Sequence, residues 1–182
     1  MKKLNQYFSL DDYFNREFVT CVVVASVLIY VFLFWGTLRG ETVTIEIADS
    51  TLDYVNHVRV TAVWFDFFKN NFRISVFTMI PFVGSWMLFV QYNTGYVMGS
   101  LAKAVQMDGM LYLAGVMTNW TGILEYIANA LAYGESLYLV YSLVERKFFT
   151  NLRNHSARTL YFVGVLLAVA AIIEIRYIYG LM

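Results

Sequence analysis

The chain is 182 residues long, 59% hydrophobic and only 14% charged, with 13 Lys and Arg against 13 Asp and Glu. Soluble domains average about 45–50% apolar and about 25% charged residues. This composition rules out a disordered chain and argues against an ordinary soluble enzyme. Zero net charge and a pI near 6.7 remove a global nucleic-acid field. A single proline suits a chain made mostly of helices, and the mean hydropathy of +0.58 points to lipid as the solvent.

A membrane helix needs about 20 mostly apolar residues. Residues 18–38 supply the first expected span, without a charge and without the small-residue cleavage site of a signal peptide. Cys21 stands alone within it, so no disulfide forms inside one chain, and a buried or lipid-facing thiol is expected. The segment Glu-Thr-Val-Thr-Ile-Glu-Ile that begins at Glu41 alternates β-branched residues, and Asp49-Ser50-Thr51 reads as a helix start. Residues 58–68 and 4–14 read as interfacial amphipathic helices, with aromatic rings beside polar groups. The charge-free run 74–102 is too long for one upright helix, so spans are expected at 73–91, around Pro81, and at 92–117. The latter is interrupted near Gln106 and Asp108, as one broken span or a re-entrant pair. The Gly95-x-x-x-Gly99 spacing permits close helix contact in a membrane. A fourth span is expected at 122–144, carrying Glu125, Asn129 and Glu135, and a fifth at 159–179.

Orientation follows from Lys and Arg near the spans. The 145–158 loop holds Arg146, Lys147, Arg153 and Arg158, and the amino terminus holds Lys2, Lys3 and Arg16. Both are therefore expected in the cytoplasm. The 40–56 loop, with Glu41, Glu46, Asp49 and Asp53, is expected outside, although Lys69 and Arg73 oppose this placement.

No Walker loop, H-E-x-x-H motif or nucleophile elbow is present. The two histidines, His57 and His155, fall in expected connections and read as solvated. The informative residues are polar ones inside apolar spans, where an ionised carboxylate costs several kcal/mol. Glu125 and Asn129 share a helix face, with Ala132 and Ser136 continuing the stripe. Glu135 lies roughly 80° off that face. Glu125 reads either as a proton or cation relay or as a helix–helix hydrogen bond to Asn93, Asn119 or Tyr126.

Three stretches carry a likeness to a known family. They are Phe68-Lys69-Asn70-Asn71-Phe72-Arg73-Ile74, Tyr92-Asn93-Thr94-Gly95-Tyr96-Val97-Met98-Gly99 and Gly122-Ile123-Leu124-Glu125-Tyr126-Ile127-Ala128. Their order resembles the stage II sporulation protein M family, with its F-x-N-N, N-G-x-x-x-G and H-G-x-x-E segments. Thr94 separates Asn93 from Gly95, and Thr121 stands where the family often has His. A role resting on that His is not carried over, whereas Glu125 is. The resemblance implies a polytopic membrane scaffold, since its best-known members resemble assembly subunits for cell-wall-degrading partners. Relatives also occur in organisms that make no spores.

The expectation is thus an all-α polytopic integral membrane protein of about five spans plus interfacial helices, forming one membrane domain over 1–182. It is expected to be non-catalytic and without cofactor or metal, and to work beside other membrane subunits as a homo- or hetero-oligomer without nucleic acid. A small transporter or channel using Glu125 and Asn129 is the alternative. The candidate site residues are Asn70, Asn71, Asn93, Gly95, Gly99, Gly122, Glu125 and Asn129.

Overall fold

The computed structural model describes residues 13–178, and these are helical with short turns and no strand. Helix α1 spans Arg16–Gly40, α2 Ile45–Thr61, α3 Trp64–Thr78, α4 Trp86–Ala104, α5 Gly109–Thr118, α6 Trp120–Val144, α7 Phe148–Asn154 and α8 Ser156–Ile178. Two stretches, Arg16–Gly40 and Phe148–Arg176, are long and apolar enough to cross a membrane. The first contains the expected 18–38 span and the second overlaps the expected 159–179 span. Helix α3 is too short by the same measure, and Glu125, Asn129 and Glu135 dilute the apolar run of α6. Lys2, Lys3 and nearly all of the 4–14 segment lie outside the described residues.

Local chemistry explains most boundaries. Asn15 Oδ1 accepts from Phe18 N at 2.9 Å and caps α1, and Asp108 Oδ1 accepts from Leu111 N at 2.9 Å and caps α5. Helices α4 and α6 both stop without glycine. Gln106 and Arg146 take positive φ values of 56° and 59°. The following residues donate backward, Met107 N to Ala102 O and Lys147 N to Ser142 O, each at 2.9 Å. Both ends are Schellman motifs, which satisfy carbonyls left over at a helix terminus.

Three boundaries differ from the sequence reading. The helix is continuous through Gln91 and Tyr92, and the break falls instead between Thr78 and Trp86. Pro81 causes it, because proline disfavours helical backbone in the residue before it. Phe82 follows with φ of 66°. Second, the β-branched 41–47 segment enters a helix at Ile45, and Asp49, Ser50 and Thr51 lie inside α2. Third, the expected 58–68 helix is split, for α2 ends at Thr61 and α3 begins at Trp64.

Pairwise contacts set the directions of the long helices. Gly36 and Gly40 of α1 meet the backbone of Tyr92 and Tyr96 in α4, so these two helices run parallel. Val22 of α1 lies against Gly134 of α6, while the Tyr126 hydroxyl of α6 donates to Ser26 O of α1 at 2.7 Å. Those helices are antiparallel. Asn71 and Ser75 of α3 pair with Glu125 and Asn129 of α6, a parallel arrangement. His155 and Thr159 at the start of α8 reach Glu135 late in α6, so α8 opposes α6. Helices α1, α4 and α8 therefore run one way, and α3 and α6 run the other.

Packing is apolar outside and partly polar inside. Helix α1 exposes Val23, Val27, Val31 and Trp35, each more than half exposed. Meanwhile Thr37, Ser75, Thr78, Ser100, Glu135, His155 and Thr159 are buried. Two apolar clusters separate these groups. One joins Phe18, Ala132, Tyr138 and Leu167, and the other joins Ala25, Ile29, Met87 and Ala130.

Candidate functional site

The sequence-predicted polar seam of α6 faces α3. Asn71 Nδ2 donates to Glu125 Oε1 at 2.6 Å, a charge-assisted bond when the carboxylate is ionised. One turn on, Ser75 Oγ donates to Asn129 Oδ1 at 3.4 Å, a long and weak contact. Glu125 is thus engaged by α3, and none of the three partners expected from sequence takes that place. Asn93 is exposed and its Nδ2 donates to Phe89 O in its own helix. Asn119 caps α6 through Thr121 N at 3.3 Å, and Tyr126 donates to α1. Asn70 is exposed beside Asn71 and is not drawn into the seam.

The glycines have steric work. A Cβ at Gly95 would meet the Leu33 carbonyl oxygen, and one at Gly99 would meet that of Thr37. Gly36 and Gly40 reciprocate from α1, so two small-x-x-x-small faces interlock with backbone against backbone. Gly122 faces the Val116 carbonyl where α5 turns into α6. The Gly36-x-x-x-Gly40 half of the lock carries the same spacing signal in the sequence as Gly95 and Gly99.

A second polar cluster escaped sequence reasoning. Glu135 is completely buried, and three groups from the α7–α8 turn and the start of α8 surround it. Ser156 Oγ donates to Oε1 at 2.5 Å, Thr159 Oγ1 donates to Oε2 at 2.8 Å, and His155 Nδ1 lies 2.6 Å from Oε2. His155, expected to be solvated, is buried at 6% exposure, because the turn between α7 and α8 folds it onto α6. His57 is exposed on α2. His155 Nε2 is 3.0 Å from the Tyr13 carbonyl oxygen. A carbonyl only accepts, so Nε2 carries a hydrogen and donates. The Nδ1–Oε2 contact then holds one proton between imidazole and carboxyl. Thr159 has one hydroxyl proton and directs it to Glu135, so the Tyr13 hydroxyl donates to Thr159 Oγ1 at 2.9 Å. Burial pushes the Tyr13 phenol up from its ordinary range, which keeps it a donor. The Tyr13 ring also stacks on His155, with centroids 4.5 Å apart. The remaining hydrogen bonds extend the cluster, as Asn15 and Asn151 both donate to the Tyr138 hydroxyl, at 3.1 and 3.3 Å.

The residues of this cluster bind one another. Both imidazole nitrogens are occupied, and the Ser156 hydroxyl donates to the Glu135 carboxyl and not to the imidazole, so the three do not take the Ser–His–acid order of a catalytic triad. Among the described residues no three His, Cys, Asp or Glu side chains converge to hold a metal ion.

Residues 18–175 match the family profile of stage II sporulation protein M. The chain belongs to that family. No curated protein and no solved structure matches it. Family membership and the two long apolar helices point to a membrane location. Within this family frame the first and third motif segments meet in space. Asn71 of the first segment binds Glu125 of the third, while Gly95 and Gly99 of the second hold α4 against α1. The Glu135 cluster lies inside the matched region except for Tyr13 and Asn15.

Proposed function

We propose that this stage II sporulation protein M family member is a non-catalytic integral membrane subunit that scaffolds a larger membrane complex. The observation that carries the reading is the state of its buried polar groups. Glu135, His155, Thr159 and Ser156 spend their hydrogen-bonding capacity on each other and on Tyr13, which suits a rigid framework rather than a reacting centre. Buried polar networks that are fully satisfied rigidify a fold. Purification in mild detergent followed by mass determination of the particle tests this. A complex containing other membrane subunits is expected, and a solitary monomer that brings down no partner refutes it.

The chain crosses the bilayer five times in this reading, through α1, α3, α4, α6 and α8, with the amino terminus inside. The support is directional, since these helices alternate in direction in chain order, and α2 connects α1 to α3. With Cys21 replaced by serine, Asp49→Cys and Lys147→Cys should be labelled by an impermeant thiol reagent from opposite faces of the membrane. Labelling of both from the same face refutes the topology.

A further inference from the structure

A cavity of about 1000 Å³ lies between α2, α4, the α5–α6 turn and the end of α8. Its size is at the upper end of the range for ligand sites, about 300–1,000 Å³. One wall, from α4, is apolar and aromatic, with Trp86, Phe89, Val90 and Val97. The facing walls bring charges from three helices, namely Arg59 of α2, Glu125 of α6 and Glu174 of α8. Glu125 and Glu174 are within electrostatic reach of each other, and Arg59 is within reach of Glu174. The cavity thus sets two carboxyl groups against one guanidinium.

The hydrogen-bonding inventory is uneven in the same way. Asn71 occupies one oxygen of Glu125, leaving the other to accept. Asn93 gives one of its two amide hydrogens to Phe89 O, and its carbonyl oxygen remains an acceptor beside the cavity wall. Thr121 Oγ1, also on the lining, is buried and has no hydrogen-bond partner. Such groups in folded proteins are normally satisfied, so an unsatisfied one marks a missing partner.

We propose that this cavity binds an aminophospholipid, with the primary ammonium on Glu174 and Glu125, the phosphate on Arg59 and acyl chain along the α4 wall. The proposal rests on the chain lying in a membrane but not on its scaffolding role. A primary ammonium brings three donors to carboxylate and amide oxygens that lack them, which a quaternary amine cannot do. Arg59 presents a planar fork of donors suited to a phosphate. An anionic lipid would set its net charge against the carboxylate excess. A free amine would leave the aromatic wall uncovered.

The test reconstitutes the purified chain in phosphatidylcholine bilayers that contain equal shares of phosphatidylethanolamine and phosphatidylglycerol. Lipids retained after mild extraction are then counted by native mass spectrometry. Phosphatidylethanolamine should be retained about tenfold over phosphatidylglycerol and phosphatidylcholine, the value of one charge-assisted hydrogen bond. Glu174→Gln and Arg59→Gln should each bring retention to near parity. Neither side chain is fully buried, so unfolding midpoints in phosphatidylcholine alone should not move. Equal retention of all three lipids, preference for phosphatidylglycerol, or a preference that survives both substitutions overturns the proposal. Failure of the chain to float with vesicles would instead overturn the membrane reading beneath it.

Discussion

Replacing Gly99 by alanine sets two effects of known size against each other. Alanine is favoured over glycine inside a helix by about 1 kcal/mol. Against this, the new Cβ would meet the Thr37 carbonyl oxygen and lie 2.9 Å from Glu41 N. Both obstacles are backbone, so no side-chain rotation relieves them, and α1 and α4 must separate by roughly 1.5 Å to restore ordinary contact at about 3.5–4.0 Å. Overpacking of this kind costs about 1–3 kcal/mol. The opening is shared by Gly36, Gly40 and Gly95, whose own close contacts weaken with it. The net expectation for Gly99→Ala is a loss of about 1–2 kcal/mol. Gly95→Ala should lose the same, and the double variant should lose less than the sum, because the first substitution already opens the gap. Gly115 is the internal control, since a Cβ there meets nothing within 4 Å. Gly115→Ala should gain up to about 1 kcal/mol from helix propensity alone. Equilibrium unfolding in detergent, followed by circular dichroism, measures all four variants. If Gly99→Ala stabilises the protein as much as Gly115→Ala does, the glycine lock is not under steric load and the reasoning fails.

Removing the imidazole with His155→Ala leaves Glu135 buried with only Ser156 and Thr159, and should cost about 3–5 kcal/mol in thermal or denaturant unfolding. A loss below about 1 kcal/mol would show that the cluster does not support the fold. Asn71→Ala should cost about 1.5–3 kcal/mol by stranding Glu125, whereas Glu125→Gln should cost less than about 1 kcal/mol, because Asn71 still finds an amide oxygen. The reverse order would mean that the charge of Glu125 matters more than its hydrogen bond. At the end of α6, the hydrogen bond from Tyr141 at 2.5 Å, with a second from Lys147 at 2.9 Å, holds the Glu145 carboxyl below its ordinary range. A depressed carboxylate favours the folded contact above the ordinary glutamate range, and that contribution fades as pH falls through the lowered pKa. Tyr141→Phe should move the Glu145 midpoint upward in a carboxyl-detected NMR titration, and an unchanged midpoint would rule out the tyrosine bond as its cause.

The first span, the family and Glu125 were legible because each is a local signal: a charge-free run, an ordered set of short motifs, a lone carboxylate among apolar residues. The Glu135 cluster was not, since its members stand some 20 residues apart and meet only when α8 folds antiparallel onto α6. Angular position on one helix placed Glu135 beside the seam but says nothing about which neighbour lies opposite it. The grouping of His155, Ser156 and Thr159 at helix spacing was the available clue. Helix α2 was obscured by β-branched residues at its start, a case of tertiary context overriding a weak local preference. The break expected near Gln91 falls at Pro81 instead, whereas Gly95 and Gly99, read as a close-contact spacing, are interior residues of α4 packed against α1.

The turn at Pro81 has a consequence for the bilayer itself. Ser136 Oγ donates to Ile80 O at 3.0 Å, so the tip of the α3–α4 hairpin sits level with Ser136. Helix α6 continues eight residues further to Val144, about 12 Å at 1.5 Å per residue. On the five-pass topology the hairpin therefore stops well short of the inner boundary that α6 reaches. Its tip is greasy, with Phe82 72% and Trp86 57% exposed. Acyl chains of the inner leaflet must rise to meet that tip, which thins the membrane on one side of the molecule only. On that topology such a one-sided dent would favour thin or curved bilayer regions.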